Sequence, residues 1–160
     1  LEMISELLRY QLYGGNQKVS ILQEIDYLKT YIALRKLRMS ERLRLRVEFP
    51  PELNELNIYP LLFLPLVENA FKYVGGDYQL DIIMKWENNR ISLFIRNSIP
   101  ELSAEDEALR KSVDERQRKG IGLVNLRRRL SLLYPNKHRL ETRKEETEFV
   151  AELMIEIEDI

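Results

Sequence analysis

The 160-residue chain contains no cysteine. Disulfides and thiolate metal sites are therefore excluded, and a reducing compartment is compatible with the composition. It has a single histidine, His138, so no histidine cluster is available for zinc. No Ser-His-Asp set with a nucleophile turn and no full Walker A loop can be found. No apolar run approaches the length needed to span a bilayer, and no signal-peptide pattern is present. Neither sign of charge dominates: 25 Lys and Arg stand against 26 Asp and Glu, a formal net charge of −1. No strong field favours nucleic acid or an anionic membrane. Arg127-Arg128-Arg129, on an amphipathic helix pattern, reads as a solvated face rather than a nucleic-acid patch. Internal repeats are absent. What is present is ordinary for a globular protein, 44% hydrophobic and 32% charged residues, and long enough to bury a substantial core in one compact domain with an N-terminal extension.

The most informative segment runs from Tyr59 to Tyr73. Nearly every position is apolar, as in a buried helix, but Glu68, Asn69 and Lys72 interrupt it. At about 100° per residue, positions i, i+1 and i+4 fall on one stripe. An acid, an amide and a base thus share one face of a greasy element, and burying them unpaired is costly. Two readings fit: a phosphate with its metal ion meets all three, or the helix has one wet edge with an internal Glu-Lys pair. A second segment, Gly120-Ile121-Gly122-Leu123-Val124-Asn125-Leu126-Arg127-Arg128-Arg129-Leu130, opens with a Gly-x-Gly step and continues with Leu123, Leu126, Leu130 and Leu133 on one helical face. Glycines ahead of a helix let the backbone approach a ligand, and the free N–H groups of the first turn favour an anion.

The remaining pattern is coherent. Leu1 to Tyr13 reads as the end of a helix, stopped by Gly14-Gly15-Asn16. Ser20-x-x-Gln23 is a capping-box signature opening a helix to about Met39, with a stripe of Ile25, Leu28, Ile32 and Met39. Arg42 to Phe49 alternates as a half-buried strand ended by Pro50-Pro51. Pro65 is expected in the first turn of its helix, and Gly75-Gly76-Asp77 is a turn. Gln79 to Trp86 and Arg90 to Asn97 form a hairpin around Glu87-Asn88-Asn89. Glu101 to Lys119 is densely charged, a solvated connector or an exposed helix on composition alone. His138 to Lys144 and Phe149 to Ile157 are two further strands, with His138 read as a surface turn residue. Helices over a mixed, mostly antiparallel sheet make a two-layer α/β sandwich.

In order along the chain, Leu8-Arg9-Tyr10, the Glu24-to-Arg38 helix with Tyr31 and Arg35-Lys36-Leu37-Arg38, Pro65-Leu66-Val67-Glu68-Asn69-Ala70 and Gly120-Ile121-Gly122-Leu123-Val124-Asn125-Leu126 resemble the C-terminal part of LytS-like sensor histidine kinases. The resemblance covers essentially the whole chain and implies a GHKL (Bergerat) ATP-binding fold over residues 41–160. It implies that residues 1–40 are the C-terminal part of a dimerisation and phosphotransfer region whose acceptor histidine lies further upstream. The expected ligands are ATP and Mg²⁺. The expected partners are a second copy, with the two N-terminal helices at the dimer interface, and a response regulator. The chain is expected to be the cytoplasmic piece of a larger protein anchored in a membrane elsewhere.

The roles follow from the same resemblance. Asn69 would ligate Mg²⁺ through its amide oxygen, a hard donor. Glu68 would be the catalytic carboxylate, orienting a metal-bound water or acting as a base on the acceptor imidazole. Lys72 would neutralise phosphate charge. Tyr73 stands where the family often has a histidine, and can hydrogen-bond without being a near-neutral base. Gly120, Gly122 and Leu123 would wrap the phosphates, with Asn125 adding a polar contact. Glu101 to Lys119 would be the ATP lid. Thr147 lies where the family has a Gly-Thr step near the adenine, although Glu146 replaces that glycine. Asn97 stands where the family's Asp-x-Gly-x-Gly motif has its adenine-binding Asp; it can still accept a hydrogen bond, a weaker one than a carboxylate would. The following Ser98-Ile99-Pro100 lacks the motif's glycines. That departure motivates the alternative reading, a degenerate GHKL module that binds nucleotide poorly and acts through protein contacts. A GHKL chaperone or anti-sigma kinase fits the N-terminal segments less well.

Overall fold

The structure is a computed structural model that describes residues 17–51, 53, 56–101 and 121–158. The expected helix over Leu1 to Tyr13 with its Gly14-Gly15-Asn16 stop, Gly120, and all of the charged segment but Glu101 lie outside the described residues.

Strand β1 (Val19–Ser20) leads into helix α1 (Ile21–Arg38). Ser20 caps α1, its side chain accepting the Leu22 N–H, so the expected start is met. Strands β2 (Arg44–Glu48) and β3 (Asn57–Ile58) precede helix α2 (Leu64–Tyr73), which carries Pro65 in its first turn. The helix is shorter than the apolar run, because Tyr59 to Phe63 lie outside it and Leu61 takes a left-handed φ of 62°. Strands β4 (Gln79–Glu87) and β5 (Arg90–Ser98) form the expected hairpin, with Asn88 and Asn89 both at positive φ. Two consecutive left-handed residues match a type I′ turn, which Asn tolerates. Helix α3 (Ile121–Leu133) and strands β6 (His138–Lys144) and β7 (Glu148–Glu156) complete the chain.

The main sheet has the order β2-β4-β5-β7-β6, with β2 parallel to β4 and the other neighbours antiparallel. A small antiparallel ribbon, β1 with β3, was not foreseen. One sheet face is apolar: Leu80, Ile82 and Met84 on β4, Ile91, Leu93 and Ile95 on β5, and Ala151, Leu153 and Ile155 on β7 are buried. The helices cover this face. Ile21, Ile25, Leu28 and Ile32 of α1, Leu66, Val67, Ala70 and Phe71 of α2, and Leu123, Leu126 and Leu130 of α3 join one core. Burying each large apolar side chain stabilises the fold by roughly 1.5–3 kcal/mol. Ile25, Leu28 and Ile32 of the α1 stripe therefore pack on their own domain, and Leu22 and Leu37 are the exposed leucines of this helix.

The opposite sheet face is polar and open. Asp81 is buried there and receives the Arg96 guanidinium through Nε at 3.0 Å and through Nη2. On the same face a concavity of about 700 Å³ lies over Ile83, Phe94, Met154 and neighbouring charges. It shares no residue with the polar edge of α2.

Candidate nucleotide site

The site is built on the edge of α2 that the core leaves wet. Val67, Ala70 and Phe71 point inward, while Glu68 and Lys72 are exposed and Asn69 and Tyr73 are half-buried. Helical spacing thus puts an acid, an amide oxygen and a cation along one accessible line. The Lys72 ammonium lies 5.3 Å from the centre of the Tyr73 ring, a cation–π contact that holds it against the helix end.

Helix α1 supplies the neighbouring wall. Tyr31 meets Phe71 edge to face at 6.3 Å, and the Arg35 guanidinium sits over the same ring at 5.6 Å. Arg35 Nε is buried without a hydrogen-bond acceptor among the described residues. Desolvation raises the Glu68 carboxyl above its ordinary range, and the Arg35 charge pulls it back. Burial pushes the Tyr31 phenol up to about 12, with the Arg35 charge lowering it and the Glu68 charge raising it.

The far end of α2 runs into the end of β5. The Gly75 N–H donates to the Ser98 carbonyl at 2.9 Å, and the Ser98 hydroxyl donates to the Gly75 carbonyl at 2.7 Å. Gly76 has φ +60°, and a Cβ there would lie 2.7 Å from the Ile99 carbonyl oxygen; a Cβ on Gly75 would lie 3.1 Å from Pro100. Gly75 and Gly76 thus let the turn after α2 approach Ile99 and Pro100 closely. Asn97 itself is buried on the helix-facing side, between Leu80 and Phe149, and its amide donates to the Ser98 carbonyl at 3.4 Å. Thr147 is exposed, and its carbonyl accepts the Ile99 N–H at 2.9 Å, so the β6–β7 turn joins the same corner.

Helix α3 packs against α2. Gly122 lies inside the first turn of α3 rather than ahead of it, is exposed, and has no atom within 4 Å of where a Cβ would stand. Asn125 is exposed beside it. Leu123 is buried in the core, so its side chain supports the helix instead of facing a ligand. The structure thus brings Glu68, Asn69, Lys72 and Tyr73 to one edge, Asn97 and Thr147 to the corner beyond it, and Gly122 and Asn125 to the start of the adjoining helix.

Other residues escaped the sequence. Glu24, buried on α1, accepts the Leu61 N–H at 2.5 Å. Arg129 donates to the Leu61 and Pro60 carbonyls at 3.2 and 3.0 Å, and Arg127 to the Leu140 carbonyl at 3.1 Å. Arg129 therefore ties down the loop before α2 and Arg127 reaches strand β6, which corrects their reading as a purely solvated face. The only sequence signal for Arg129 is its place beside Leu130 at the border of the apolar stripe. His138 opens β6, half-buried, with Nδ1 2.7 Å from the Tyr134 carbonyl. That carbonyl only accepts, so Nδ1 carries the proton and the residue is structural.

Among the described residues no cluster of three or more His, Cys, Asp or Glu could hold a metal. One amide oxygen on an open edge fits Mg²⁺, which takes few protein ligands and keeps waters and phosphate oxygens for the rest.

A histidine kinase family model matches residues 1–43. The sensor protein kinase HptS of Staphylococcus aureus is 27% identical over 145 residues, covering 88% of this chain and 28% of HptS. The catalytic domain of the histidine kinase ThkA superposes with a TM-score of 0.55 at 17% identity, over 88% of this chain and 96% of that one. The fold is that of a histidine kinase catalytic domain. Full-length ShkA in complex with AMPPNP gives a TM-score of 0.58 at 12% identity, over 98% of this chain and 35% of that one. At such identities the likeness is one of fold. The sequence similarity is to sensor kinases, and the chain spans about 28% of the length of the curated relatives it matches.

Proposed function

We propose that this chain is the ATP-binding catalytic region of a LytS-like sensor histidine kinase. In the intact protein the γ-phosphoryl group of ATP would pass to a histidine upstream of these residues and then to a response regulator. The observation that carries this reading is the single accessible line of Glu68, Asn69 and Lys72 on an otherwise buried helix, flanked by the open first turn of α3. The likeness to HptS and the kinase catalytic fold support it.

The chain's own residues would act by position and charge. Asn69 would hold Mg²⁺ through its amide oxygen, and the ion would supply charge neutralisation on the phosphates. Lys72 would stand as a point cation beside them. Backbone N–H groups at the start of α3 would face the phosphates, where Gly122 leaves space. Glu68 would take or orient the proton of an incoming imidazole, and partial desolvation raises its carboxyl while the Arg35 charge pulls it back. Asn97 and the Thr147 corner would border the adenine. Residues 1–40 would belong to the dimerisation region, with a homodimer as the working form and membrane anchoring outside this chain.

Titration of the chain with a non-hydrolysable ATP analogue, with and without Mg²⁺, tests the reading. Magnesium-dependent binding is expected. An absence of binding would favour the alternative of a degenerate module acting through protein contacts.

A further inference from the structure

The loop that delivers α2 is gripped from two helices at once. Leu61 has φ 62°, a left-handed conformation that a bulky side chain adopts only when its surroundings impose it. Glu24 of α1, 2% exposed, accepts the Leu61 N–H, and Arg129 of α3 donates to both the Leu61 and the Pro60 carbonyls. Both bonding groups of one residue are thus held by charged side chains of opposite sign, which make stronger hydrogen bonds than neutral ones. Tyr134, just past α3, accepts the Tyr59 N–H at 3.1 Å and secures the residue ahead of Pro60. Three residues after Leu61, α2 begins and presents Glu68, Asn69 and Lys72.

We propose that Glu24 and Arg129 are positioning residues: clamping the Pro60–Leu61 segment from α1 and α3, they fix the polar edge of α2 relative to the first turn of α3 and so set nucleotide affinity. The affinity part rests on the nucleotide reading above. The positional part does not. The hydrogen bonds of Glu24 and Arg129 to Pro60 and Leu61 reach α2 through the loop that delivers it.

The test uses the full 160-residue chain. Binding of a non-hydrolysable ATP analogue with Mg²⁺ is measured for Glu24→Ala, Glu24→Gln and Arg129→Met, with a thermal melt of each and backbone amide shifts of residues 68–72 without nucleotide. Glu24→Ala and Arg129→Met leave a part-buried N–H or carbonyls without their charged partner, and are expected to weaken binding about tenfold and move those shifts. Glu24→Gln keeps an acceptor oxygen and is expected to stay within about threefold of the parent. In a Leu61→Gly background, where positive φ is intrinsic, the Glu24→Ala effect is expected to shrink. Should Glu24→Ala fail to fold, Arg129→Met and the Leu61→Gly background with Glu24→Gln carry the comparison. Folded variants with unchanged affinity and unmoved shifts overturn the proposal. If the parent binds no nucleotide, the functional reading fails while the amide shifts still decide the clamp.

Discussion

At the scale of single residues, the two glycines at positions 76 and 122 do opposite things. Gly76 sits at φ +60° with a carbonyl 2.7 Å from any Cβ, so Gly76→Ala is expected to cost about 1–3 kcal/mol and lower the melting temperature. Gly122 lies in a helix with open space around it, so Gly122→Ala should leave stability unchanged or raise it by about 0.5–1 kcal/mol. If the backbone there faces phosphate, the same variant should bind the ATP analogue more weakly, a loss of affinity without a loss of fold. Tyr31 makes a pH prediction. Its phenol is an acid whose folded pKa, about 12, lies above its ordinary value of 10.0. Between those values the folded chain holds a proton that the unfolded chain has released, so stability falls as pH rises through that window. Tyr31→Phe should flatten that alkaline loss in melts run at increasing pH. The Glu68, Asn69 and Lys72 edge was legible because helical periodicity alone puts polar groups on one stripe. Glu24 and Arg129 were not, because a buried charge is justified by the carbonyl or amide it meets, and those belong to a distant loop.

At the scale of elements, strong periodicity marks the long helices and strands, and pairings of two residues leave no such trace. Burial alternates along β5 and places Asn97 on the inward side with Ile91, Leu93 and Ile95. Ribbon β1–β3 has only two residues per strand, too few for any period to register. The apolar run before α2 looked helical from Tyr59, yet the helix starts at Leu64 because Leu61 turns left-handed under outside hydrogen bonds. The α1 cap has a measurable consequence. Ser20→Ala removes the acceptor for the Leu22 N–H and should destabilise the chain by about 0.5–2 kcal/mol in a chemical or thermal melt. The apolar stripe of α1 could be recognised but not its destination, since periodicity does not distinguish a home core from a second copy.

At the scale of the whole molecule, one sheet face is covered by three helices, and the site edge lies where α2 meets α1, α3 and the end of β5. That arrangement lets a largely buried helix present three polar groups at an open edge while its other side holds the core together. The sheet order and the parallel β2–β4 pairing could not be read from the sequence, because pairing depends on contacts far apart along the chain. The central claim is that the α2 edge holds nucleotide with its magnesium through Asn69. Calorimetric titration with a non-hydrolysable ATP analogue, comparing the parent chain with Asn69→Ala in the presence and absence of Mg²⁺, tests it most directly. Magnesium-dependent binding by the parent is expected, with a loss of at least about tenfold in an Asn69→Ala variant that melts normally, because a coordinating oxygen is removed. Equal binding by both chains, or none by the parent, would contradict it.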